Sequence, residues 1–127
     1  VRSIFIIIFR RDFIMETKKL DILCLKLCTE LMKAHKSQWE TLNTPNYTVE
    51  KGRKYWKIVS TATGDSSYQG STVWGFINVA NENFKFGDVL KAAGWRTPAL
   101  NKPRGNLFDG YDVTANRMRI YGPDYLR

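Results

Sequence analysis

The spacing of apolar residues changes once along this chain, from a helical period to an alternating one, and this change constrains the fold more than any other feature. Before it, apolar positions recur at intervals of three and four, at Leu20, Leu23, Cys24, Leu27, Cys28, Leu31 and Met32. Such positions share one face of a helix, so the pattern predicts an amphipathic helix over residues 17–37, with Thr17 as its N-cap. Asn43 and Pro45 then lead the chain out of the helix.

After the change, short alternating segments rich in β-branched and aromatic residues predict strands. In "YTVEKGRKYWKIVSTA", alternation puts Trp56 and Ile58 on one face, and Lys51–Gly52 marks a bulge or a tight turn. The polar stretch "TGDSSYQGS", residues 63–71, predicts a hairpin connection to the next strand. A third strand is expected in "DVLKAA", after the turn "NENFKFGD".

The strongest strand pattern is "TVWGFINVA", residues 72–80. Alternation places Ile77 and Val79 on one face of this strand and Trp74 and Phe76 on the other. Apolar residues on both faces predict a central strand that is covered on both sides, or one that exposes an aromatic platform.

The 127 residues suffice for one domain and are too few for two ordinary ones. From Gly94 onward, glycines and prolines predict short and irregular structure, in which Trp95 is expected to anchor the chain to the core. The sequence therefore predicts an α+β fold, in which one N-terminal amphipathic helix packs on a small antiparallel sheet of roughly three to four strands, followed by an irregular C-terminal wrap.

Residues 1–14 differ in character from the chain that follows Met15. Their apolar run, Ile4–Phe9, is shorter than a membrane-spanning helix or the apolar region of a signal peptide requires. We therefore expect residues 1–14 to be a non-native or disordered upstream extension and residues 15–127 to form the single domain, with no membrane span. An interfacial membrane anchor or an edge strand is the alternative interpretation of the extension.

Few residues form patterns that are typical of catalysis or metal binding. Cys24 and Cys28 share one helix face, a poor arrangement for a disulfide, and are expected to be small apolar core residues. His35, the sole histidine, is expected to be exposed near the polar end of the helix. Asp109 and Asp112 are expected to belong to a turn. We therefore expect no enzymatic activity, no metal site and no cofactor.

The charge balance points to an acidic partner. The chain carries 20 Lys and Arg against 12 Asp and Glu, a net charge of +8. The candidate nucleic-acid contacts are Arg53, Lys54, Lys57, Lys91, Trp95, Arg96, Lys102 and Arg104. Cations neutralise phosphates, and aromatic rings stack on unpaired bases. The competing interpretation is that Trp56, Trp74 and Trp95 fill the core while the cations are merely solvated.

Several short motifs occur in a fixed order over roughly residues 47–127. They are Gly52-Arg53-Lys54-Tyr55, Gly87-Asp88-Val89, Lys91-Ala92-Ala93, Trp95, Pro98-Ala99, Arg104-Gly105-Asn106 and Tyr121-Gly122. This order resembles a family of small uncharacterised proteins of tailed bacteriophages. The chain departs from it at Asn78, where the family-like residue is Asp. The resemblance implies a phage gene expressed in the cytoplasm of an infected bacterium and a start at Met15, and it implies no activity.

Two classes of function follow from these observations. The first is a small phage-encoded accessory protein that binds DNA or RNA through a basic and aromatic surface. The alternative is a protein–protein interaction module that acts on a host factor or takes a place in the virion. The absence of any acidic residue over residues 91–106 favours the first.

Overall fold

The computed structural model describes the backbone of residues 2–40, 43–64, 70–110, 118–119 and 122–123, with side chains described from residue 13 onward except at 118–119. The elements are helix α1 (Arg2–Gln38), strands β1 (Asn46–Lys51), β2 (Tyr55–Thr61), β3 (Ser71–Asn78), β4 (Asp88–Leu90) and β5 (Gly105–Asn106), a 3₁₀ turn (Leu107–Asp109), and strands β6 (Met118–Arg119) and β7 (Gly122–Pro123). Strands β1 to β5 form one antiparallel sheet in chain order, and β6 pairs with β7. The α+β prediction is confirmed, with five strands in the main sheet instead of three or four.

Helix α1 begins at Arg2, well before the start that the apolar pattern predicts. The N-cap prediction is wrong, because the hydroxyl of Thr17 donates a hydrogen bond to the carbonyl of Phe13 at 2.7 Å, one helical turn earlier. The backbone of residues 2–14 is thus helical, and the expectation that residues 1–14 are an upstream extension stays a prediction. None of the described helical segments combines the length and the apolar character that a membrane crossing requires.

The apolar stripe of α1 packs on one face of the main sheet, as predicted. The shared core consists of Leu20, Cys24, Leu27, Cys28, Leu31, Ala34, Tyr47, Trp56, Ile58, Trp74, Ile77, Val89 and Leu107. His35 is only 8% exposed, so the expectation that it lies on an exposed helix end is wrong. It comes one helical turn after Leu31 and therefore continues the buried face of the helix.

Hairpin turns connect β1, β2 and β3, as the sequence predicts. Lys51 pairs with Trp56 across the first turn, and Thr61 pairs with Ser71 at the base of the second. Residues 65–69 of the second connection lie outside the described residues.

A β-bulge changes the side on which Trp74 lies. Ile58 pairs with Gly75 while the next residue, Val59, pairs with Val73, so Trp74 is an additional residue on β3. Alternation predicts that Trp74 and Ile77 lie on opposite faces, but both belong to the core beneath α1. The extra residue of the bulge interrupts the alternation, and the sequence contains no distinct signal for it.

The face of the main sheet that points away from α1, called the outer face here, is also partly covered. Lys57 pairs with Phe76, which in turn pairs with Leu90, and directly paired residues share a face. Phe76 is 3% exposed although it is adjacent to the core residue Ile77. The prediction that β3 is a central strand covered on both sides is therefore confirmed.

Residues 92–98 form a closed loop after β4. Ala92 and Pro98 form an isolated antiparallel bridge at its base, so the segment predicted to be irregular folds back on itself. This pairing leaves Trp95 and Arg96 at the tip of the loop, where both are exposed.

Candidate nucleic-acid interface

The structure divides the eight predicted contact residues between one open pocket and several other places. Arg53, Lys54, Lys57 and Arg96 line the pocket, and Trp95 lies beside it against Lys57. Lys91, Lys102 and Arg104 are not among the residues that line it. The cations from the β1–β2 turn thus meet the tip of the 92–98 loop, although more than 30 residues separate them in sequence.

The pocket that these cations share is called the basic pocket here. Its volume is about 330 Å³, and its lining residues are Glu50, Lys51, Gly52, Arg53, Lys54, Tyr55, Lys57, Phe76 and Arg96. Five of these nine residues are cations and one is a carboxylate, so the pocket concentrates positive charge. A pocket of this size with convergent charged groups is a candidate binding site.

The β1–β2 turn presents two of the cations at its apex. The amide of Gly52 donates a hydrogen bond to the carbonyl of Tyr55 at 3.1 Å and closes the turn. A Cβ atom at Gly52 would lie 2.5 Å from the same carbonyl oxygen, so the turn requires glycine at this position. Arg53 and Lys54, between these two residues, are exposed. The prediction of a tight turn at Lys51–Gly52 is confirmed.

Lys57 connects the pocket to an exposed tryptophan. Its Nζ atom lies 4.5 Å from the centroid of the Trp95 ring, within the range of a cation–π interaction. The same Nζ atom lies 3.9 Å from Oε2 of Glu50. The side chain of Lys57 is 15% exposed, and the rings of Tyr55 and Phe76 meet edge to face beside it, with centroids 6.2 Å apart. One ammonium group therefore contacts both a carboxylate and an indole.

The three tryptophans of the competing interpretation fall into two classes. Trp56 and Trp74 fill the core, at 4% and 2% exposed, whereas Trp95 is 47% exposed. The expectation that Trp95 anchors the C-terminal wrap is therefore wrong. The 92–98 loop closes through its backbone bridge, which holds the loop without burying the indole.

Two predicted contact residues bond to backbone carbonyls instead of pointing to a shared surface. Nζ of Lys91 donates to the carbonyl of Pro123 at 2.8 Å and so ties β7 to the end of β4. Arg104 is only 5% exposed, and its Nη1 atom donates to the carbonyl of Lys102 at 2.9 Å and to Oδ1 of Asn101. A cation that donates hydrogen bonds to carbonyls within the fold stabilises the local structure. In the sequence, such a cation looks the same as one that contacts phosphate.

Lys102 is exposed and lines a different pocket. Glu82, Asp88 and Asp109 line that pocket too, so its charge is mixed. Asp109 belongs to the 3₁₀ turn, in agreement with the turn predicted for it, and Asp112 lies outside the described residues.

A hydrogen-bonded segment, residues 78–88 together with Asn106, is called the polar turn here; the side chains of Asn78, Asp88 and Asn106 in it are buried. One oxygen of Asp88 accepts from the amide of Lys85 at 2.8 Å, and the other accepts from Nδ2 of Asn106 at 2.9 Å. Oδ1 of Asn106 accepts from the amide of Phe108 at 2.8 Å. The motifs that contain Asp88 and Asn106 thus hold β4 and β5 together.

Asn78 completes the polar turn from the end of β3. Its Oδ1 accepts from the amide of Asn81 at 2.9 Å, and its Nδ2 donates to the carbonyls of Asn81 and Lys85, both at 3.0 Å. An ionised aspartate at this position has no donor for the two carbonyls, so the departure from the phage-like motif fits the geometry. Sequence reasoning missed this network; the three asparagines within residues 78–83 were its only local signal.

The two cysteines are free thiols in the core, which confirms their predicted placement. Burial raises the pKa of Cys24 to about 12 and that of Cys28 to about 11. Both thiols therefore stay protonated at neutral pH, where a thiolate would be needed for nucleophilic attack or metal ligation. In the part of the chain that the structure describes, no three His, Cys, Asp or Glu side chains come together as metal ligands would.

Comparison with family models places the chain in a family. The model of a family of unknown function, DUF7717, matches residues 11–119, which include most of α1 and the whole main sheet. No curated protein and no solved structure matches the chain. The match agrees with the resemblance to uncharacterised proteins and carries no information about a bacteriophage origin.

Proposed function

We propose a role for the protein from the geometry of its surface. The chain belongs to the DUF7717 family of unknown function, and this membership assigns no activity to it. Its basic pocket and Trp95 bind single-stranded nucleic acid. The role is binding without catalysis and requires no cofactor or metal ion.

The observation that carries the proposal is the convergence of cations beside an exposed indole. Arg53 and Lys54 from the β1–β2 turn and Arg96 from the 92–98 loop line one pocket, and Trp95 is 47% exposed next to it. These residues come from two distant segments of the chain, so their meeting is a property of the fold. Phosphate neutralisation and base stacking are the two contributions that single-strand binding combines.

The cations of the pocket differ in how far they are already paired. Among the described residues, Arg53, Lys54 and Arg96 have no carboxylate within ion-pair distance, whereas Lys57 faces Glu50 and Lys51 faces Asp21. Unpaired and exposed guanidinium and ammonium groups can replace the counterions of a phosphate backbone without first breaking an internal pair. These three cations therefore supply the main phosphate contacts.

The exposed indole favours an unpaired strand over a duplex. Bases inside a duplex are stacked on their neighbours and offer no free ring face, whereas an unpaired base can stack on Trp95. The β1–β2 turn and the 92–98 loop are short, and neither provides a helix or a two-stranded ribbon for insertion into a major groove.

The proposed setting follows from the resemblance to small proteins of tailed bacteriophages. We propose that the protein is an accessory protein of an infecting phage and acts in the cytoplasm of the bacterial host. Single-stranded DNA and RNA both occur there during replication and transcription, and both carry the phosphates and free bases that the pocket requires.

Fluorescence anisotropy with labelled single-stranded DNA and RNA oligomers tests the proposal. We expect binding at low salt that weakens with salt, with a slope of log affinity against log salt of about −0.7 for each phosphate neutralised. The double variant Arg53→Ala/Arg96→Ala should bind more weakly, and the magnitude of its slope should fall by about 1.4.

The matched control is Lys36→Ala/Lys102→Ala, which removes two exposed cations that do not line the basic pocket. It has the same net charge as the first double variant and should retain most of the affinity. Equal losses in the two double variants would mean that only net charge matters, and the pocket assignment would be wrong. If neither DNA nor RNA binds the wild type, the protein–protein interaction module becomes the better interpretation.

A further inference from the structure

The basic pocket contains a single carboxylate, that of Glu50. Its Oε2 atom lies 3.9 Å from Nζ of Lys57, which lies 4.5 Å from the centroid of the Trp95 ring. An acceptor, a donor and a stacking surface are thus adjacent at one side of the pocket. A site that bound phosphate alone would gain nothing from the acidic group, because a carboxylate repels phosphate.

The ion pair itself gives little reason for Glu50 to be there. The Glu50 side chain is 60% exposed, and its distance to Lys57 is near the upper limit for a salt bridge. Such exposed pairs contribute little to folding stability. The carboxylate is therefore available to a ligand that brings hydrogen-bond donors, since an ionised carboxylate only accepts.

The pair formed by Lys57 and Glu50 is complementary to the Watson–Crick edge of guanine. That edge presents one acceptor, O6, followed by two adjacent donors, the N1 and N2 groups. A lysine donates to O6, and a carboxylate can accept from N1 and N2 with both oxygens, which gives a charge-assisted bidentate pair. Adenine and cytosine each offer one amino group beside a ring acceptor, and thymine and uracil offer one donor between two carbonyls.

We infer that Glu50 is the base-selecting residue of the basic pocket and that it selects an unpaired guanine. The inference rests on the proposed function, since it requires the strand to lie in the pocket with a base on Trp95. In that arrangement the base takes the place of the Lys57 ammonium over the Trp95 ring, and the ammonium, still beside Glu50, meets the edge of the base. The flanking phosphates meet the cations of the β1–β2 turn and the 92–98 loop.

Binding of thymidine oligomers that differ at one central base tests this selection. The probes carry guanine, hypoxanthine, adenine, cytosine or thymine at that position, and anisotropy gives each affinity. We expect the guanine probe to bind about tenfold more tightly than the thymine probe. The hypoxanthine probe, which lacks only the N2 amino group, should fall between them.

The variant Glu50→Gln separates base reading from a general charge effect. Its neutral amide no longer repels phosphate, so the all-thymidine probe should bind more tightly than it binds the wild type. The amide also offers one acceptor instead of two, so the preference for guanine should fall to about twofold or less. Glu82→Gln is the matched control, because Glu82 is exposed and does not line the basic pocket; it should leave the preference unchanged.

The outcomes distinguish this inference from the proposal on which it rests. If the wild type binds all five probes equally, or if Glu50→Gln keeps the full preference, base selection by Glu50 is wrong while nucleic-acid binding stands. If the wild type binds neither these probes nor the corresponding RNA oligomers, both are overturned.

Discussion

The polar turn and the basic pocket are both rich in polar side chains, but the partners of these side chains are of different kinds. In the polar turn, Asn78, Asp88 and Asn106 are 1%, 6% and 9% exposed and bond to backbone groups and to one another. In the basic pocket, Arg53 and Lys54 are exposed and, among the described residues, face no carboxylate within ion-pair distance. Buried polar groups require internal partners, whereas exposed cations remain available for a ligand.

The largest expected effect concerns the stability of the polar turn. Asn106→Ala removes the donor to the Asp88 carboxylate and leaves a buried charge with fewer partners. We expect the free energy of unfolding to fall by about 3 kcal/mol, measured by urea denaturation. Asn46→Ala, an exposed asparagine at the start of the edge strand β1, is the control and should change it by less than about 0.5 kcal/mol. Similar losses in the two variants would mean that the network does not hold the turn.

The next effect concerns binding by the exposed indole. Trp95→Ala should weaken the binding of single-stranded oligomers by about 1–3 kcal/mol, because it removes a stacking surface. Its free energy of unfolding should change little, since the ring is 47% exposed. Trp39→Ala removes another exposed tryptophan that does not line the basic pocket and should leave affinity unchanged. A large loss of stability in Trp95→Ala would instead restore the anchoring role that the sequence predicts.

An effect that is absent at neutral pH, but has a defined sign above pH 9, comes from the buried thiols. The folded-state pKa values of Cys24 and Cys28, about 12 and about 11, exceed the ordinary value of 9.0. At pH values between the ordinary pKa and the folded-state pKa, the unfolded chain has lost thiol protons that the folded chain keeps. The free energy of unfolding is therefore highest below pH 9 and falls as the pH rises above 9. Each thiol contributes a slope of about 1.4 kcal/mol per pH unit.

Denaturation of the wild type and of Cys24→Ala at a series of alkaline pH values measures this slope. We expect the difference in unfolding free energy between the two proteins to be constant below pH 9 and to shrink above it. A difference that stays constant up to pH 11 would show that Cys24 does not titrate in the way its burial requires.

The α+β fold could be predicted from the sequence because the helical and alternating spacings of apolar residues show which side of each element is buried. Burial of these apolar residues is what packs the helix on the sheet. The side on which Trp74 lies was not predicted, because a bulge adds one residue to β3 without a distinct local pattern. The burial of His35 was not predicted either. Its polar side chain indicated exposure, although its position one turn after Leu31 lies on the core face of the helix.

The candidate site was predictable only where local chemistry determined the geometry. Lys51–Gly52 indicated a bulge or a tight turn, and Arg53 and Lys54 lie exposed in that turn, outside the strand β2. Arg104 has the same charge and a similar neighbourhood in sequence, yet it is buried against carbonyls of its own turn. The sequence does not distinguish these cases, because the partners of Arg104, Asn101 and the carbonyl of Lys102, are brought to it by the conformation of the connection between β4 and β5.

The central claim is that the basic pocket, and not the polar turn, is the surface that binds nucleic acid. Titration of isotope-labelled protein with a single-stranded oligomer, followed by backbone amide NMR shifts, compares the two regions in one experiment. We expect the largest shifts at residues 52–54 and 95–96 and little change across residues 78–88. Shifts concentrated at residues 78–88, with the β1–β2 turn and the 92–98 loop unchanged, would contradict the account.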